Sequence, residues 1–244
     1  MTGKRFTTEM RRGFAQAEGA LLAEPALVPF NPAACARTMR IAGPDYEIAL
    51  FGSALIALRR TSAPDMRLVL RAVTPKQALK DLIEGDVDLA LGHFSHLPKG
   101  LAGAPLCEET YRVAARLDAS RPERELDLGD YLARDHIVVS AGGGTTEIVD
   151  EILAQQGKKR RVVATVPIFL SALAAVASTD AIVTMPAHLI TRYAGYFDLR
   201  TYDAPLAIPP FHISAAWRRS GHDPAVQWIV NRIKSEAGNI SGAN

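Results

Sequence analysis

The sequence predicts an α/β fold of short strands alternating with helices, and three observations carry that prediction. Short apolar runs with strand-like patterning, such as Val87-Asp88-Leu89-Ala90-Leu91-Gly92 and His136-Ile137-Val138-Val139-Ser140, recur along the chain. Helix-start signals stand between them, most clearly Thr74-Pro75-Lys76-Gln77 and Asp223-Pro224-Ala225. Apolar residues make up 48% of the 244 positions, enough for a well-buried core. Strands separated by helices imply parallel sheets with right-handed crossovers.

Residues 8–29 place Met10, Phe14, Ala17, Leu21 and Leu22 on one helical stripe, which Pro25 and Pro29 end. Such a helix packs on the next domain or pairs with another chain, and pairing is the preferred reading. Thr38 to Ala42 alternates as a strand. Gly43-Pro44-Asp45 then turns into a helix with Ile48, Phe51, Leu55 and Leu58 inward. Ala63-Pro64-Asp65 breaks the chain before a strand from Met66 to Val73. Thr74, Pro75 and Gln77 form a capping-box start, Leu79, Leu82 and Ile83 face inward, and Gly85 stops the helix. Val87 to Gly92 is the third strand.

Leu101 to Leu117 reads as extended chain leaving the first lobe, and Leu126 to Leu132 as a short helix. The strand ending at Ser140 runs through Ala141-Gly142-Gly143-Gly144 into a helix from Thr145 to Gln156. A strand at Val162–Val166, a small-residue helix from Pro167 to Ala177 and a strand from Asp180 to Thr184 follow, then Met185-Pro186-Ala187-His188. Phe211 to Trp217 is strand-like. The last helix opens at Asp223, runs through Ile233 with Trp228, Ile229 and Ile233 inward, and frays from Gly238.

Charge and cysteine content exclude several classes. The formal net charge is +2, and the dense basic stripe is Lys4, Arg5, Arg11 and Arg12 at the front. Cys35 and Cys107 have no partner at metal-ligand spacing and make no disulfide framework. Without a signal peptide or a membrane-length apolar run, the sequence predicts a cytoplasmic protein with no membrane partner.

The candidate motifs point to binding rather than catalysis. Gly142–Gly144 between strand and helix has the geometry of an anion cradle, or of a turn with no ligand. It matches no nucleotide-binding signature, and no cofactor is expected. His93 and His96 lack further ligands for a metal, so none is expected there. His93, His136 and His188 each read as a core or surface histidine, with ligand contact as the alternative. Ser140 is in no nucleophile elbow. Asp86 and Asp88 read as solvent-facing charges at a strand start. The chain is therefore not expected to be an enzyme.

Several stretches taken in order resemble the LysR-type transcriptional regulators, specifically their effector-binding half: Phe30-Asn31-Pro32, Arg37 to Ala42, Gly43-Pro44-Asp45-Tyr46, Gly85 to Gly92, Val176-Ala177-Ser178-Thr179-Asp180, Met185-Pro186, and Asp223-Pro224-Ala225 with Trp228. The branch containing nodulation regulators is the nearest in style. The resemblance implies a two-lobed, type 2 periplasmic-binding-protein-like fold behind an N-terminal linker helix. Residues 1–36 would be wing remnant and linker helix, 37–113 plus 209–240 lobe I, and 114–208 lobe II. It further implies sensing of a small organic effector by a homo-oligomer (dimer or tetramer). DNA would be contacted only through a winged helix-turn-helix, of which Gly3-Lys4-Arg5-Phe6-Thr7 matches the end, with Lys4 and Arg5 the DNA-binding remnant. Positions after matched strands place Asp45, Gly92, His93, Ser140, Gly143, Thr145, Phe169 and Met185 around the effector cleft. A stand-alone cytoplasmic solute-binding protein of the same fold is the alternative, disfavoured by the wing remnant and linker helix.

Overall fold

A computed structural model of the chain describes residues 30–117, 125–140, 148–220 and 223–241. The N-terminal helix, Lys4, Arg5, Gly143 and Thr145 lie outside the described residues.

The first half begins with β1 (Thr38–Gly43), α1 (Asp45–Ser62), β2 (Arg67–Ala72), α2 (Pro75–Glu84), β3 (Leu89–Gly92) and β4 (Leu101–Glu109). The chain then crosses into β5 (Tyr111–Arg116), α3 (Leu128–Ala133), β6 (Asp135–Val139), α4 (Ile148–Gln155), β7 (Arg161–Val166), α5 (Phe169–Ala177), β8 (Ile182–Pro186), α6 (Ala187–Tyr193) and β9 (Leu199–Asp203). It returns in β10 (Phe211–Arg218) and ends in α7 (Pro224–Ser241).

These strands form two five-stranded sheets, ordered β2-β1-β3-β10-β4 and β7-β6-β8-β5-β9. Each sheet is mixed rather than wholly parallel. β1 runs parallel to β2 and β3, and β6 to β7 and β8, through helical crossovers. β10 and β5 run antiparallel to their neighbours. The reason is connectivity: a strand arriving directly from the other half enters its sheet from the opposite end and needs no crossover helix. The outward crossing falls at Thr110, so Tyr111–Val113, expected in the first lobe, pair in the second sheet.

Each half buries its own core. Ala42, Ala78, Leu82, Val87, Ala90, Leu101 and Ala216 pack the first. Val113, Ala115, Leu126, Tyr131, Val149, Leu153 and Ile182 pack the second. Gly43 permits β1 to sit against β3, because a Cβ there would come within 2.8 Å of the Leu91 carbonyl oxygen.

Helix boundaries follow the local chemistry with some differences. The Thr74 hydroxyl accepts from Gln77 N–H at 3.2 Å, and Gly85 ends α2 in the left-handed region at φ 88°. The Gln77 side chain donates instead to Asp81, so the capping box is only half made. Ile83, expected inward, is exposed. Asp223 accepts from Ala225 N–H at 3.0 Å and opens α7. That helix runs past Gly238 instead of fraying there. Asp88, read as solvent-facing, is buried. It accepts from the Arg37 guanidinium at 2.7 Å and from Arg40 N–H at 2.8 Å, which offsets its cost of burial. No helix among the described residues is long and apolar enough to cross a membrane.

Candidate functional site

The carboxyl ends of the parallel strands of both sheets converge on one cavity of about 370 Å³. Pro44 and Tyr46 follow β1, Pro75 follows β2, and His93 follows β3. From the second half come Val138 and Val139 at the end of β6, Phe169 after β7, and Thr184 to Pro186 ending β8. Ile148, Val149 and Arg160 close one side, and Tyr111 and Phe211 of the crossing strands line the back. Strand ends leave room that the next helix does not fill, which is where open α/β sheets bind ligands. Two other cavities are less suitable. One, of about 390 Å³, lies between α1 and α7. The other, of about 670 Å³, lies around Arg112, Glu125 and Asp203. Neither gathers groups from both sheets' strand ends.

The walls are mostly apolar and aromatic. His93 meets Phe211 edge-on at 5.7 Å between ring centroids, Tyr111 lies 5.4 Å from Phe211, and Tyr46 lies 5.8 Å from Phe169. His93 Nδ1 pairs with the His212 carbonyl at 3.0 Å, which fixes its ring. Arg160 is buried and donates two hydrogen bonds to Asp150, at 2.9 and 2.7 Å. The Thr184 and Tyr131 hydroxyls bond each other at 2.8 Å.

Two carboxylates sit at the junction of the halves in opposite circumstances. Glu109, at the end of β4, is fully buried and richly satisfied. It accepts from Thr110 and Ala187 N–H at 2.9 and 3.0 Å, from His188 Nδ1 at 2.9 Å, and from the Tyr46 hydroxyl. Burial, with Glu109 beside it, pushes the Tyr46 phenol up and keeps it a donor. Glu47 lines the cavity from the first turn of α1 and is 3% exposed, and its Oε2 has no hydrogen-bond partner among the described residues. Burial raises its carboxyl to about 8, with Asp45 and Glu109 adding to the shift. Burial and the same two glutamates hold the nearby Cys107 thiol up at about 12, so it stays protonated.

The halves are also tied across the cavity's rim. The Asp45 carboxylate accepts from Phe169 N–H at the start of α5, at 2.8 Å. On the α1 side, Arg192 donates to the Leu50 carbonyl at 3.0 Å and to Ser53 at 2.6 Å, and the Tyr193 hydroxyl donates to the Ala49 carbonyl at 3.0 Å.

The LysR substrate-binding domain matches residues 36–238. The chain belongs to the LysR family. It is 28% identical over 213 residues to nodulation protein D 3 of Mesorhizobium japonicum, covering 86% of this chain and 70% of that protein. It is 26% identical over 205 residues to the transcriptional regulator SyrM 1 of Sinorhizobium fredii, covering 82% and 59%. Among solved structures it resembles a probable transcriptional regulator from Pseudomonas aeruginosa (32% identity, TM-score 0.74, covering 91% of this chain and 73% of that one). It also resembles the regulatory domain of the P. aeruginosa transcriptional activator MexT (30% identity, TM-score 0.71, covering 84% and 100%). The two-sheet architecture is that of LysR effector-binding domains.

In this LysR-family chain, His93, Phe169 and Met185 of the sequence-based candidates stand on the cavity wall. Asp45 does not. Its carboxylate is spent on Phe169 N–H, because a helix N-terminus offers an unpaired donor opposite it. Gly92 is a strand residue paired with Ser214. Ser140 is off the lining, its N–H donating to the Val166 carbonyl at 2.9 Å as the strand ends. His136 is a core histidine whose Nε2 bonds the Tyr131 carbonyl at 2.9 Å; burial lowers it to about 4. His188 is likewise buried, on Glu109. Sequence reasoning passed over Tyr46, Glu47, Tyr111, Arg160, Thr184 and Phe211. Glu47 is an acid in the first turn of α1 and Arg160 one of the basic run Lys158-Lys159-Arg160-Arg161, and neither local pattern marks a cavity residue.

Proposed function

We propose that this chain is the effector-sensing part of a LysR-type transcriptional regulator and that its effector is a small organic molecule held between the two halves. The observation that carries the reading is the cavity itself, mostly apolar and lined by strand ends of both sheets. A ligand touching both walls stabilises the closed arrangement over an open one and so shifts the population between them. In the intact regulator that shift changes how paired winged helix-turn-helix heads sit on DNA, in a homo-oligomer. No catalytic role is proposed: the Thr184 hydroxyl on the wall is bonded to Tyr131, not to a base.

The reading is tested by melting the purified chain against a library of small organic metabolites. A compound present at about a hundred times its Kd adds roughly 2.7 kcal/mol to stability. At least one compound raises Tm, and Val139→Trp, which fills the cavity from the end of β6, removes that rise while the variant still melts cooperatively. No compound shifting Tm, or a shift untouched by Val139→Trp, would contradict the reading.

A further inference from the structure

We infer that the molecule accepted by this cavity is a small aromatic compound that presents an O–H or N–H donor to Glu47 and carries no carboxylate. The inference rests on the cavity being the effector site and deepens that reading. A buried oxygen without a hydrogen bond is costly, and native proteins retain one where a function requires it. Glu47 Oε2 is such an atom, on a side chain that lines the cavity and is 3% exposed. The described residues leave it without a donor, and a guest with an O–H or N–H group would supply one.

The acids around Glu47 disfavour an anionic guest. Asp45 lies on the same helix turn, and Glu109 stands at the end of β4 beside it. The guanidinium on the cavity wall, Arg160, is already committed through two bonds to Asp150. A carboxylate entering here would be desolvated among acidic groups, with no uncommitted guanidinium or ammonium among the described residues that line the cavity. The body of the guest is set by Phe169, Phe211 and Tyr111, whose rings offer faces and edges for another ring. A phenol satisfies Glu47 without moving a proton. A benzylic ammonium does so by ionising it, and the Glu47 proton leaves to solvent.

Isothermal titration of the full chain with phenol, benzylamine and benzoate tests this, since the three share one ring and differ in the group offered to Glu47. Phenol or benzylamine binds at least about tenfold more tightly than benzoate, and Glu47→Leu abolishes that preference. Glu47→Gln, nearly isosteric, keeps phenol binding within about threefold and loses benzylamine binding; it supplies the answer should Glu47→Leu fail to fold. If benzylamine is the bound form, its heat depends on buffer ionisation near pH 7, as proton release requires. Benzoate binding as tightly as the donors, or a preference that survives both Glu47 variants, overturns the inference while leaving the cavity as the ligand site. Binding of none of the three at millimolar concentration also overturns it, and the melting screen with Val139→Trp then judges the broader reading separately.

Discussion

Glu109 and Glu47 show how two buried acids of the same chemistry have opposite effects on stability. Glu109 gathers donors from α1, the Thr110 crossing and the start of α6, so its removal strands several buried groups at once. Glu109→Ala is expected to cost about 3–5 kcal/mol in urea unfolding. Glu47 acts the other way with pH. Its folded carboxyl titrates at about 8 while the unfolded one titrates at 4.5. Below the lower value both states are protonated and the group is neutral in the balance. As pH rises from there to the higher value, the unfolded chain ionises and the folded one does not, so stability is lost. Glu47→Gln should therefore match the parent near pH 4 and exceed it at pH 8 by on the order of a few kcal/mol. His136 runs in the reverse sense: its folded value near 4 lies below the usual 6.5, so its stabilisation is full above 6.5 and fades as pH falls toward 4.

At the scale of elements, α2 illustrates what local chemistry can specify. Thr74 caps it and Gly85 stops it at φ 88°, both legible in the sequence because each is a short-range backbone requirement. Thr74→Ala is expected to cost about 1 kcal/mol, and Gly85→Ala about 1–2 kcal/mol for forcing a side chain into left-handed backbone; chemical denaturation of each variant checks this. The strands β1, β3, β6, β7 and β10 were legible too, from runs of apolar residues. What was not legible lies between Leu189 and Asp203. There α6 and β9 are short, and β9 is only half-buried along its length, so it shows no clean alternation. The burial of Asp88 was hidden for a related reason: Arg37 and Arg40, which satisfy it, lie far away in sequence on or beside β1. The same separation hid Tyr111 and Phe211, which reach the cavity only because the chain crosses twice between sheets.

For the whole molecule, the question is how two sheets share one cavity and still respond to a guest. Among the described residues the halves are tied by hydrogen bonds, from Asp45 to Phe169 N–H on one side, from Arg192 and Tyr193 to α1 on another and from Glu109 across the crossing, and by the ring contacts of Tyr46 with Phe169 and Tyr111 with Phe211. Hydrogen bonds of this kind each contribute on the order of 1 kcal/mol net, which a bound ligand can match or exceed. Arg192→Ala should accordingly enlarge the radius of gyration in solution scattering, and a bound ligand should reverse part of the change. The family resemblance supplied the two-lobed outline from the sequence. The inner surface of the cavity was not so supplied, because its key groups are set by charge burial across the junction rather than by any local motif.

If a small molecule enters between the halves, methionine-methyl NMR of the chain shows where it sits. Met185 lines the cavity, whereas Met39 and Met66 are buried in the first half away from its lining. One- and two-ring fragments, with phenol, benzylamine and benzoate among them, should shift the Met185 methyl resonance in a saturable way and leave those of Met39 and Met66 nearly in place. Fragments that bind while leaving Met185 unmoved, or that perturb all three methyls alike, would mean that the cavity between the halves is not where they bind.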